Sequence, residues 1–224
     1  MFYHIKNKGF IVGAVCAVVA VLILGVCFIS CSGGKLTYRS AYYFVCYRIC
    51  DNAFSASSLS STVASYGGAG YILNYKDNFF VTVSCYYKKT DAETVCESLK
   101  KRDLKCSVME IKTEKYKIRG SAKKNSELYL GNFNTLNSLS SLAYECANGI
   151  DTGEFSQSKA KDVVASIKSS LKGLLKENTN NCFTNDLNFL IAECDDKERG
   201  LLLSKDMRYL QIAMIDVIVN MELK

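Results

Sequence analysis

Two stretches of this chain, residues 42–50 (YYFVCYRIC) and 79–87 (FFVTVSCYY), are built alike. Each opens on an aromatic pair. Each is followed by a short break, a run with apolar residues at helical spacing, and a second strand-like run. This duplication constrains the fold more than any other feature. A strand–helix–strand unit must bury one face of its strands and one stripe of its helix, and two such units in tandem can do so by sharing a sheet.

The second unit reads more clearly. Val81 and Val83 alternate with Thr82 and Ser84, the signature of a half-buried strand. Residues 88–90 break the pattern, and Thr90 or Asp91 can cap a helix. Ala92, Val95, Cys96 and Leu99 then fall on one helical face. Lys100, Lys101 and Arg102 sit where cations suit a helix C-terminus, and residues 104–111 (LKCSVMEI) read as a returning strand. In the first unit the strand is residues 42–49, Asp51 or Asn52 can cap, and Ala56, Leu59, Thr62 and Val63 form the stripe of a serine-rich helix. Gly67 and Gly68 end that helix, YILNY returns as a strand, and Lys76, Asp77 and Asn78 form a tight turn. The strands overlay at an offset of 37 residues and the helices at 36. The expected layout is therefore β-α-β-β-α-β, a ferredoxin-like split βαβ arrangement with a four-stranded sheet, both helices on one face and the other face open.

The spacing of Val81, Thr82, Val83, Tyr86, Ala92, Val95, Leu99, Leu104 and Cys106 resembles that of the SPOR domain family. So does that of Phe44, Val45, Cys46, Ile49, Ala56, Leu59, Val63, Gly67, Tyr71 and Ile72 in the first unit. The resemblance covers about residues 41–111. It implies a peptidoglycan-binding module of two β-α-β units, typically carried behind one N-terminal transmembrane segment in bacterial cell-division and sporulation proteins. Where that family often has glycine after the second strand valine, this chain has Tyr47 and Ser84.

Strand alternation sends Phe44, Cys46, Val81 and Val83 toward the helices, and Tyr43, Val45, Tyr47, Phe80, Thr82 and Ser84 toward the open side. Those six are the candidate glycan-binding residues. A sugar's C–H face packs on an aromatic ring, and hydroxyl side chains bond its hydroxyls. The alternative is that the helical region further along the chain covers this face and the aromatics are core.

Residues 10–29 (FIVGAVCAVVAVLILGVCFI) carry no charge and, as a helix, span about 30 Å, the thickness of a bilayer core. Lys6 and Lys8 precede them, with His4 nearby, so the N-terminus is expected in the cytoplasm and the remainder outside it. A retained anchor competes with a cleaved signal peptide and with a lipoprotein signal at Cys31 (FISCSGG) or Cys27 (LGVC). The expected organisation is a cytoplasmic stub at 1–9, an anchor at 10–31, a linker at 32–40, the SPOR-like domain at 41–113 and a helical domain at 119–224.

That helical domain shows three apolar stripes. The first runs through Leu128, Phe133, Leu136, Leu139, Leu142, Ala143 and Cys146. The second runs through Val163, Val164, Ile167, Leu171, Leu174 and Leu175. The third extends from about residue 185 onward and includes Leu187, Leu190, Leu210, Met214 and Ile218, with a break near DDKERG. A three- or four-helix bundle follows, though each stripe can equally serve a protein partner.

The formal net charge is +6, without a Lys/Arg block, which argues against nucleic-acid binding. The single histidine, His4, lies in the stub, so ordinary Ser-His or Cys-His catalysis is absent from the exported part. Glu193, Asp195 and Asp196 cluster, but Lys197, Glu198 and Arg199 follow, which reads as a solvated charged turn rather than a catalytic pair. Eleven cysteines occur without a C-x-x-C spacing, so no metal site or cofactor is expected; the eight beyond the apolar run are an even count that permits a disulfide framework in an exported chain, but they read first as small buried apolar residues. The expectation is a non-enzymatic, single-pass α+β envelope protein. Its partners would be peptidoglycan, the membrane and, through the C-terminal helices, other proteins. The rival is a membrane-anchored scaffold whose SPOR-like domain has lost glycan binding.

Overall fold

A computed structural model describes residues 40–113, 123–178 and 183–220. The anchor at 10–31, its flanking stub and nearly all of the linker lie outside the described residues. Among the described residues, no helix is long and apolar enough to cross a membrane.

The described chain is α+β, with a four-stranded antiparallel sheet and six helices. The order is β1 (Ala41–Cys50), α1 (Ala53–Ser65), β2 (Tyr71–Tyr75), β3 (Asn78–Tyr86), α2 (Lys89–Lys100), β4 (Ser107–Lys112), α3 (Lys123–Asp151), α4 (Gln157–Glu177), α5 (Phe183–Glu198) and α6 (Ser204–Val219). The strands lie in the order β2-β3-β1-β4. Thus β1 and β2 run parallel with antiparallel β3 between them, and each unit's helix carries the chain across a neighbouring strand.

Local chemistry sets the joints. Asn52 caps α1 by accepting from the Ser55 N–H at 2.9 Å. At its other end the Gly68 and Gly67 N–H groups donate to Val63 and Ala64 carbonyls at 3.0 and 3.2 Å. Gly67 has φ of +86°, the left-handed residue that this paired C-terminal motif requires. Lys76 and Asp77, with φ of 49° and 61°, close the β2–β3 hairpin, the two positive angles of a type I′ turn. The second helix departs from the expected start. It begins at Lys89, and Lys88 supplies no side-chain cap, so neither Thr90 nor Asp91 serves as one.

Ala56, Leu59 and Val63 of α1 pack on Tyr47, Ile72, Phe79, Val81 and Val83. Ala92, Val95, Cys96 and Leu99 of α2 pack on Tyr43, Val45, Val83, Tyr86 and Val108. Val83 touches both groups, so α1 and α2 share one sheet face, as expected. The opposite face is not open. Tyr42, Phe44, Cys46, Tyr71, Leu73, Phe80, Cys85 and Ile111 join the buried residues of α3–α6 in one continuous core. At its centre is α6, whose Leu210–Ile215 run (LQIAMI) is buried all round.

Candidate functional site

The six candidate glycan-binding residues do not form a shared open surface. Tyr43, Val45 and Tyr47 face α1 and α2, the side opposite to the one expected, while Phe44 and Cys46 face the C-terminal helices. Both alternating sets of β1 are apolar, so alternation cannot say which side is which. Phe80 and Thr82 do face away from α1 and α2, but both are buried there. Thr82 donates its hydroxyl to the Tyr71 carbonyl at 2.8 Å. Ser84 shares the face of its cross-strand partner Val45, because the β1–β3 register slips between Val45 and Cys46 and again between Cys46 and Arg48. One bulge of this kind moves the following side chains to the other face. The Ser84 side chain is buried.

The C-terminal helices are held to the β-α-β-β-α-β layer by directed bonds as well as by apolar contact. The Tyr42 hydroxyl donates to Asn137 Oδ1 on α3 at 3.1 Å, and Tyr87 and Ser140 share a hydrogen bond of 2.8 Å. Tyr86 and Tyr87 each meet the Tyr144 ring edge-on, with centroids 6.0 Å apart. From α6, Gln211 Nε2 donates to the Cys85 carbonyl at 3.1 Å. Lys205 Nζ donates to the Ala64 carbonyl at the end of α1 at 3.0 Å. The Tyr71 hydroxyl donates to Asp216 at 2.6 Å, and Tyr71 and Tyr209 stack edge-on at 5.0 Å. Burial, the dominant cause, pushes the phenols of Tyr71, Tyr86 and Tyr87 up. Of these, the Tyr71 hydroxyl is a proton donor to a fixed acceptor, Asp216.

The acidic cluster near Glu193 is helical rather than a turn, since α5 runs to Glu198. Lys168 on α4 pairs with Asp195 at 2.9 Å and closely with Glu198. Lys197 reaches Asp196 at 3.7 Å and Asp206, on α6, at 3.8 Å. The hydrogen bond from Lys168 lowers the Asp195 carboxyl's pKa. These carboxylates thus tie α4, α5 and α6 together. Among the described residues no cluster of three His, Cys, Asp or Glu side chains could hold a metal ion.

Large apolar side chains left at the surface include Tyr66, 70% exposed, Leu201, 71% exposed, and Leu203, 40% exposed. Tyr66 ends α1 and Leu203 precedes α6, so both flank the Lys205–Ala64 contact. Phe54, 87% exposed, and Ile49, 52% exposed, lie close in sequence where β1 passes into α1. The alternative reading, that the C-terminal helical region covers this face, is the one the structure has, though the sequence reading did not single out α6. The signal was present in LQIAMI, because a helical run apolar on nearly all sides, here interrupted only by Gln211, is a buried one.

No protein-family model matches the chain, and neither a curated protein nor a solved structure matches it.

Proposed function

We propose that the chain is a membrane-tethered scaffold that works through protein contacts, and that its ferredoxin-like, SPOR-like layer does not bind peptidoglycan glycan. The uncharged run at residues 10–29 supports the tether. The observation that carries the rest is the covered sheet face. Phe80 and Thr82 lie beneath the protein's own helices, and Tyr43, Val45 and Tyr47 pack under α1 and α2. A glycan strand cannot reach the six as one surface without displacing a helix.

The stripes of α3–α6 are used within the molecule, which leaves isolated surface residues for partners. Tyr66, next to Ala64 in the chain, and Leu201 and Leu203, just before Lys205, are exposed apolar side chains available to such partners. The reading is of binding rather than catalysis, because the acidic cluster is engaged in ion pairs between helices.

Co-sedimentation with purified cell-wall sacculi tests it. Residues 36–224, which contain every described residue in one compact unit, are expected to stay in the supernatant while folded by circular dichroism. Saturable retention by the folded fragment, competed by soluble glycan strands, would overturn the proposal and restore peptidoglycan binding.

A further inference from the structure

Cys96, one turn before the end of α2, and Cys106, immediately before β4, bring their sulfur atoms to 2.8 Å. Cys96 is 2% exposed, while Cys106 is partly exposed and its thiol also donates to the Cys96 carbonyl at 3.1 Å. The approach is built by the backbone. The Arg102, Asp103 and Leu104 N–H groups donate to Leu99, Lys100 and Leu99 carbonyls at 2.9, 3.0 and 3.1 Å. Asp103 takes a left-handed φ of 61°. That turn folds the chain back beneath the helix end and sets Cys106 against Cys96. The other described cysteines, Cys46, Cys50, Cys85, Cys146 and Cys194, are buried free thiols.

We propose that Cys96 and Cys106 form a reversible intramolecular disulfide by exchange with an external disulfide compound, with Cys106 as the thiol that meets it. The deprotonated Cys106 sulfur attacks one sulfur of a disulfide such as oxidised glutathione. A mixed disulfide forms and one glutathione thiolate leaves. Cys96 then loses its proton and attacks the Cys106 sulfur, displacing the second glutathione. The two thiol protons end on the two released glutathiones, and the protein's two electrons reduce the one disulfide that was consumed. Burial, with the Cys96 contact, raises the Cys106 pKa. Exchange is therefore slow at neutral pH and faster in alkali. The bond would fasten the end of α2 to the start of β4, an edge strand of the sheet, which suits a structural staple.

The test uses the purified full-length chain in detergent, equilibrated in oxidised and reduced glutathione at graded ratios. It is then acid-quenched, alkylated unfolded and digested with trypsin. The expected product joins the peptides of residues 90–100 and 106–112 with loss of two hydrogens, while the five buried thiols are recovered alkylated. The oxidised chain is expected to melt roughly 5 °C above the same chain held reduced, and Cys106→Ser is expected to lose that increment. Cys96→Ser is expected to stop at a glutathione adduct on Cys106. Recovery of both thiols alkylated at the most oxidising ratio overturns the proposal, as does a wild-type chain that halts at the mixed disulfide.

Discussion

Tyr71, on edge strand β2, donates its hydroxyl hydrogen to the Asp216 carboxylate on α6 at 2.6 Å. The two residues are 145 apart in the chain, and their bond joins the duplicated layer to the helices that cover it. Burial pushes the Asp216 carboxyl from its usual 3.8 up to about 6, with Asp186 adding to the rise and hydrogen bonds from Tyr71 and Asn220 opposing it.

A pH dependence follows. The folded-state pKa lies above the unfolded one, so the folded protein holds a proton on Asp216 that the unfolded chain has released. Stability from this group is fully present below about 3.8 and is lost as pH rises through about 6, a change of about 3 kcal/mol. Denaturant melts between about pH 4 and about pH 7 should show stability falling with rising pH. Asp216→Asn should remove most of that slope. Asp186 and Glu193, both raised by burial, leave a weaker slope of the same sign. A wild-type profile that is flat across this window would contradict the assignment.

Phe44 separates a covered face from an open one. Its ring is fully buried between β1 and the C-terminal helices. Phe44→Ala is expected to cost about 3–5 kcal/mol in urea unfolding, the usual penalty for emptying an aromatic site in a core. A loss under about 1 kcal/mol would place the side chain at a surface.

Two glycines should respond in opposite directions. Gly70 has φ of +64°, and a Cβ there would lie 2.6 Å from the Ser60 carbonyl oxygen. Gly70→Ala should destabilise by about 2 kcal/mol or more. In α4, a Cβ on Gly173 meets open space, so Gly173→Ala should stabilise by up to about 1 kcal/mol. Thermal melts of both variants check the pair.

The order of elements through β4 could be read from the sequence because two periodicities alternate there and the turns carry their own chemistry. Asn52, Gly67 and the Lys76–Asp77 pair each sit where a cap or turn requires them. The sidedness of β1 could not be read. Tyr42, Phe44 and Cys46 are as apolar as Tyr43, Val45 and Tyr47, because both faces of the strand are buried. The slip around Cys46 is a backbone event with no residue type to announce it, and it carried Ser84 to the other face. The destination of the C-terminal helices was equally hidden, since a stripe that covers a sheet and a stripe that binds a partner have the same spacing. Only α6 distinguished the two, through residues 210–215, which are apolar but for Gln211.

The central claim is that the sheet's second face belongs to the protein's own helices. Thiol labelling at Cys46 and Cys85, which both lie on that face, tests it most directly. The native protein is pulsed with a maleimide and each cysteine peptide is quantified by mass spectrometry. If the helices stay seated, both thiols should react at least ~100-fold more slowly than in the unfolded chain, at a rate that rises with denaturant along the global unfolding curve. Rapid, denaturant-independent labelling of Cys46 and Cys85 in the folded protein would mean that the face is open.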